Sequence, residues 1–133
     1  MARSKVVSRI ITASALFALG ATSATGCNDS PTDPTPSAID WDATPRQFRG
    51  QNNALLRFNC PPNGTARRVW GVDVYTDDSS ICTAAVHAGE ISLADGGQVM
   101  IEIRPGQGVY TSSTRNGITS LPYDAWDGSF IVR

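Results

Sequence analysis

Strand-like alternation recurs along the second half of the chain. In Val69-Trp70-Gly71-Val72-Asp73-Val74, positions Val69, Gly71 and Asp73 face one way and Trp70, Val72 and Val74 the other. Val99, Ile101 and Ile103 alternate in the same manner with Met100, Glu102 and Arg104. A period of two puts successive side chains on opposite faces, so both runs predict half-buried strands. Residues 55–59, 108–111 and 129–132 are shorter strand candidates. Turn signals separate them: Pro62-Asn63-Gly64, Asp95-Gly96-Gly97, Pro105-Gly106, Asn116-Gly117 and Asp127-Gly128.

One segment, 78–89, breaks this rhythm. Asp78, Ser79 and Ser80 stand where a helix cap belongs, alanines fill the middle and Gly89 closes the end. At about 100° per residue, Ile81, Cys82, Ala84, Ala85, Val86 and Ala88 cover an arc of about 200°. Ser80, Thr83 and His87 form the narrow polar stripe that remains. A short helix apolar over so much of its circumference is enclosed by protein, and its small side chains let neighbouring backbone come close. The expectation is an α+β fold: a short central buried helix wrapped by β-strands.

The first part of the chain has a different character. Arg3, Lys5 and Arg9 precede a mostly apolar run at 10–21, too short for a membrane-spanning helix of about 20 residues. A basic start, a short apolar stretch and small residues describe an export signal at 1–26. Its end, Ala24-Thr25-Gly26-Cys27, resembles the bacterial lipobox, which implies a palmitate-type lipid anchor on Cys27. Residues 27–38, with prolines at 31, 34 and 36, read as an extended tether of about 3.1 Å per residue. Residues 39–133 then form one domain. The expected setting is a cell envelope, on the outer membrane or cell surface, with the membrane itself as a partner through the lipid.

Composition agrees with a folded domain. Of 133 residues, 41% are hydrophobic and 17% charged, which excludes a wholly disordered chain. The formal net charge of −1 hides a split, because from Cys27 onward eight arginines face twelve acidic residues. Nothing here matches the basic excess of a nucleic-acid binder, and none is expected as a partner.

The run Val69-Trp70-Gly71-Val72-Asp73-Val74-Tyr75-Thr76-Asp77-Asp78-Ser79-Ser80-Ile81-Cys82-Thr83-Ala84-Ala85-Val86-His87-Ala88-Gly89 resembles the signature of the LCCL domain. Gly96-Gly97, Tyr110, Arg115-Asn116-Gly117-Ile118 with Ser120, and Trp126 with Gly128-Ser129-Phe130 follow in the family's order, and Cys60-Pro61-Pro62 resembles its upstream Cys-Pro. The likeness spans about residues 41–132. It implies a central helix packed in β-structure and a non-enzymatic binding or adhesion role. Two departures stand out: two cysteines remain in the domain where animal members usually carry four, and Ser112 replaces a frequent glycine.

If Cys27 carries lipid, Cys60 and Cys82 are left as an even pair in an oxidising compartment. A bridge between them would close a loop of about 23 residues. A catalytic thiol at Cys82 assisted by His87 is the rival, but five helical positions set the two roughly 140° apart. His87, the single histidine, is expected in a half-buried, hydrogen-bonded position beside Ser80 and Thr83. A hydrolase built on Ser80, His87 and a nearby Asp would need those side chains to converge in an open cleft. No metal-ligand spacing and no cofactor motif is present. The Asn63-Gly64-Thr65 sequon reads as a turn.

Charge placement supplies the remaining candidates. Arg46, Arg49, Arg57, Arg67 and Arg68 occur between residues 43 and 72 with no acidic residue among them. Arg forks hold carboxylate and phosphate well, so these five are candidate contacts to an anionic polysaccharide, glycolipid or envelope protein. The alternative is a solvated face with local ion pairs. Trp41, Trp70 and Trp126, with Tyr75, Tyr110 and Tyr123, are sugar-stacking candidates or core.

Overall fold

The computed structural model describes residues 35–133. The segment expected to be an export signal, Cys27 and most of the expected tether lie outside the described residues. Strands β1 (Ser37–Ala38), β2 (Leu55–Cys60), β3 (Gly71–Val72), β4 (Val74–Thr76), β5 (Gly97–Gln107) and β8 (Trp126–Val132) build a six-stranded sheet in the order β1-β2-β5-β8-β4-β3. Only the β1–β2 pair is parallel. A separate hairpin joins β6 (Thr114–Arg115) to β7 (Ile118–Thr119). The single α-helix among the described residues, α1 (Ile81–His87), is preceded far upstream by a 3-10 turn at Arg46–Phe48. The class is α+β.

Every residue of α1 is buried, polar ones included. Ile81, Cys82, Ala84, Ala85 and Val86 share one core with Trp41, Phe58, Val69, Tyr75, Val99, Ile101, Ile103, Ile118 and Phe130. Alanine in the middle of α1 leaves room for chain to run against it. Backbone arrives at its start, where the Ile81 N–H donates to Ala43 O at 3.0 Å and the Ser80 N–H to Arg68 O at 3.0 Å. Ser80 is the N-cap, accepting from the Thr83 N–H at 3.0 Å. At the other end Gly89 has φ +90°. The Gly89 N–H bonds Val86 O and the Glu90 N–H bonds Ala85 O, both at 2.9 Å, the paired pattern of a Schellman stop.

The polar stripe of α1 is fully covered rather than half-buried, because two loops close over it. Thr83 Oγ1 accepts from the Arg67 N–H at 2.9 Å. His87 has no exposed surface. Its Nε2 lies 3.2 Å from both the carbonyl and the hydroxyl oxygen of Ser113, and its Nδ1 lies 2.9 Å from the Tyr75 hydroxyl. Burial pushes the Tyr75 phenol above its ordinary pKa, which keeps it a donor.

Cys60, at the end of β2, is disulfide-bonded to Cys82 in the first turn of α1, with Cα atoms 5.9 Å apart. The bridge ties the helix to the sheet.

Several boundaries differ from the sequence expectation. The run from Val69 is two strands, because Asp73 takes φ +67° and folds β3 back on β4. Pro105-Gly106 and Asp127-Gly128 are not turns but paired strand, with Pro105 opposite Gly128. The Ile103 N–H and C=O both point to the Asn53–Ala54 side. By alternation the donor missing at Pro105 falls on that same flank, beyond the end of β2, where no ladder requires it. Residues 108–111 form no strand, only a bridge from Tyr110 to Tyr123. Ser37 and Ala38, placed in the tether from sequence, pair with Phe58 and Asn59.

Candidate binding surface

The structure separates enclosed chemistry from displayed chemistry. His87, Ser79, Ser80 and Thr83 are buried at 3% exposure or less. The Ser80 hydroxyl is held by Trp41 O at 2.7 Å, and His87 bonds Tyr75 and Ser113, so no Ser-His-Asp cleft is assembled from them. Asp78 accepts from Thr76 Oγ1 at 2.5 Å, and Ser79 accepts from the Trp70 N–H at 2.9 Å. Both brace the lead-in to α1, with Ser80 alone as its N-cap.

Asp77, one residue before the three cap candidates, does something else. Its carboxylate is 1% exposed and receives Arg49 in a fork, Nε to Oδ2 and Nη2 to Oδ1, both 2.7 Å. The Trp126 indole N–H donates to Oδ1 at 2.8 Å. A Cβ at Gly128 would collide with this carboxylate and with Arg49 Nε, so glycine there lets β8 run against the ion pair. Burial works to raise the Asp77 pKa, but the hydrogen bonds from Arg49 and Trp126 outweigh it and hold the group below its ordinary value. Arg49 is correspondingly raised by Asp77.

A depressed carboxylate pKa stabilises the fold above the unfolded value of about 3.9, and that contribution disappears as pH falls through the folded value. Wild-type unfolding free energy is therefore expected to hold steady above about pH 5 and to drop below about pH 4. Asp77→Asn is expected to be less stable at neutral pH by about 2 kcal/mol, discounted because Arg49 is one-third exposed. It should also lose part of the acid slope. Urea titrations from pH 3 to 7 check this, and an unchanged slope would sink the assignment.

Above Asp77 lies the exposed end of the cluster. The guanidinium carbons of Arg46 and Arg49 each sit 5.5 Å from the Trp126 ring centroid, and Tyr123 meets that ring edge-on at 5.5 Å. Tyr123 is 44% exposed and neighbouring Val109 63%. A rigid Trp-Tyr-Arg surface seated on a buried ion pair has the residue types that dominate binding energy at interfaces.

The five candidate arginines do not share one basic edge. Arg49 is consumed by Asp77 and Arg67 pairs with Asp42 at 2.9 Å, so neither stands as an open anion contact. Arg57 reaches Gln98 at 3.5 Å across the β2–β5 pair. Arg46 and Arg68 make no side-chain hydrogen bond or ion pair among the described residues. Elsewhere Arg104 and Arg133 neutralise buried Glu102, and Arg115 holds Asp73 at 2.7 Å. Sequence reasoning named Arg49, Asp77 and Trp126 separately but missed their union, because 28 and 49 residues separate the partners and no local pattern spans such gaps.

The profile of the LCCL domain matches residues 27–130, and the chain belongs to the LCCL domain family. It is similar to vitrin of Bos taurus, 41% identical over 82 residues, covering 60% of this chain and 12% of that protein. It is also similar to cochlin of Homo sapiens, 47% identical over 64 residues, covering 48% of this chain and 12% of that protein. A human cysteine-rich secretory protein LCCL domain-containing 2 is 46% identical over 52 residues, covering 39% of this chain and 10% of that protein. The chain thus spans about an eighth or less of the length of these curated relatives. No helix among the described residues is long and apolar enough to cross a membrane.

Proposed function

We propose that the chain is an exported, non-enzymatic binding module, lipid-anchored through Cys27 to a bacterial cell envelope at the outer membrane or cell surface, and that it takes a glycan or glycolipid. The observation that carries this reading is the contrast around α1: the histidine and hydroxyls are enclosed, while Tyr123, Trp126 and Arg46 are displayed on a support that burial of Asp77 makes rigid. An aromatic face for a sugar ring, with a cation beside it, is recognition chemistry rather than bond-breaking chemistry. The basic leader, the lipobox-like ending at Cys27 and the proline-rich tether support export and anchoring, and one relative bears the word secretory in its name.

Two measurements test the two halves. Mass spectrometry of protein purified from its native membrane should find an N-terminal peptide that begins at acylated Cys27. An unmodified thiol there removes the anchor. Binding of the full chain to envelope polysaccharides should weaken at least tenfold in Arg46→Ala and Tyr123→Ala, both surface positions, with Tm unchanged. Binding that ignores both substitutions removes this surface as the site.

A second reading, interaction with another envelope protein, draws on Val109, Pro122 and Tyr123, which together line one exposed apolar hollow. Cross-linking in cells that gives a single abundant protein adduct through Tyr123 favours it over the glycan.

A further inference from the structure

A concavity of about 600 Å³ opens beside the lead-in to α1. Adjacent carboxylates serve different places: Asp77 supports the Trp126 cluster, whereas Asp78 lines this groove with Arg67, Arg68, Trp70 and Leu121. Its charges sort themselves. Arg67 is neutralised by Asp42 at the rim, one oxygen of Asp78 accepts from Thr76, and the Arg68 guanidinium has no partner among the described residues. The tryptophans sort as well. Trp41 Nε1 donates to Pro61 O at 3.0 Å and Trp126 Nε1 to Asp77, but the half-buried Trp70 indole N–H has no acceptor among the described residues. Leu121, 39% exposed, adds an aliphatic wall.

We infer that this groove is a binding site for a hexuronate residue of an acidic polysaccharide, separate from the Trp126 surface. The groove offers cationic and indole N–H donors in want of acceptors, an aromatic and aliphatic surface for a pyranose face, and a carboxylate oxygen for sugar hydroxyls. Its lining has two arginines and two aspartates, so formal charge cancels. A polyanionic phosphate or sulfate would meet Asp42 and Asp78 unfavourably, whereas one carboxylate matches the single uncompensated arginine. The sugar carboxylate pairs with Arg68, its hydroxyls with Asp78, and its ring lies against Trp70.

This rests on the reading of the chain as a binding module, but on a different surface from the one proposed above. The test is titration of the full ¹⁵N-labelled chain with a trigalacturonate, against the neutral trigalactose and a sugar phosphate. Trigalacturonate is expected to shift the Trp70 indole, Arg68 and Leu121 resonances saturably, at least tenfold more tightly than either comparison ligand. Arg68→Gln should abolish that preference with the rest of the spectrum unchanged. Raising salt should weaken binding only slightly, as one ion pair requires. Equal binding of neutral sugar, a preference for the phosphate, or indifference to Arg68→Gln overturns the proposal. Shifts confined to Tyr123 and Trp126 also overturn it while leaving the binding-module reading intact.

Discussion

Removing the disulfide with Cys60→Ala and Cys82→Ala together is expected to lower the unfolding free energy by about 3 kcal/mol, the loop-closure entropy returned to an unfolded chain whose 22-residue separation is no longer tied. For a domain with a typical total of about 5–15 kcal/mol, this is a large fraction. Both sulfurs are buried, Cys82 completely, so alanine also leaves unfilled volume and the loss should not fall below this figure. Urea unfolding followed by tryptophan fluorescence measures it, with dithiothreitol-treated wild type as the matching control. A loss under about 1 kcal/mol would mean that packing alone fixes α1 on the sheet.

His87→Ala is expected to have an effect of similar size, about 3 kcal/mol, by another route. It opens a cavity in the core and takes away the buried hydrogen bond to the Tyr75 hydroxyl, while the Ser113 carbonyl keeps the Ser120 N–H. Tyr75→Phe, which removes one hydroxyl but keeps the ring against Phe130, should cost less, about 1–2 kcal/mol. The two substitutions touch, so they should not add. A double-mutant cycle is expected to return a coupling of at least about 0.5 kcal/mol, and strict additivity would contradict the hydrogen bond.

Local signals proved legible and long-range ones did not. The cap at Ser80, the alanine centre and the stop at Gly89 are all written within ten residues, and α1 follows from them. The alternation from Val99 to Ile103 likewise marks the buried face of β5. The Asn116-Gly117 turn is equally local, since φ +53° and +80° are what a tight hairpin asks of its two central residues. The misreadings came from signals that tertiary pairing overrode. Pro105-Gly106 and Asp127-Gly128 look like turns in isolation, yet they face each other across β5 and β8. A Cβ at Gly106 would collide with the Trp126 carbonyl, so the glycine serves close strand approach instead of chain reversal. The sequence left the arginines open between an anion-binding edge and local ion pairs for a related reason. Their acidic partners lie far away in sequence, so a stretch that looks uniformly basic is partly neutralised once Asp77 folds against Arg49.

The parallel pairing of β1 fixes how the domain would bear tension. A pull on the segment entering at Ser37 loads first a two-residue ladder to β2 and the bond from the Ile39 N–H to Asn59 O. That grip is short and should peel at low force. Immediately behind it stands Trp41, buried and bonded through both its indole N–H and its carbonyl, and then the covalent link from β2 into the helix. Sequential yielding of this kind lets a few residues of slack pay out while the folded body, and whatever it holds, stays intact.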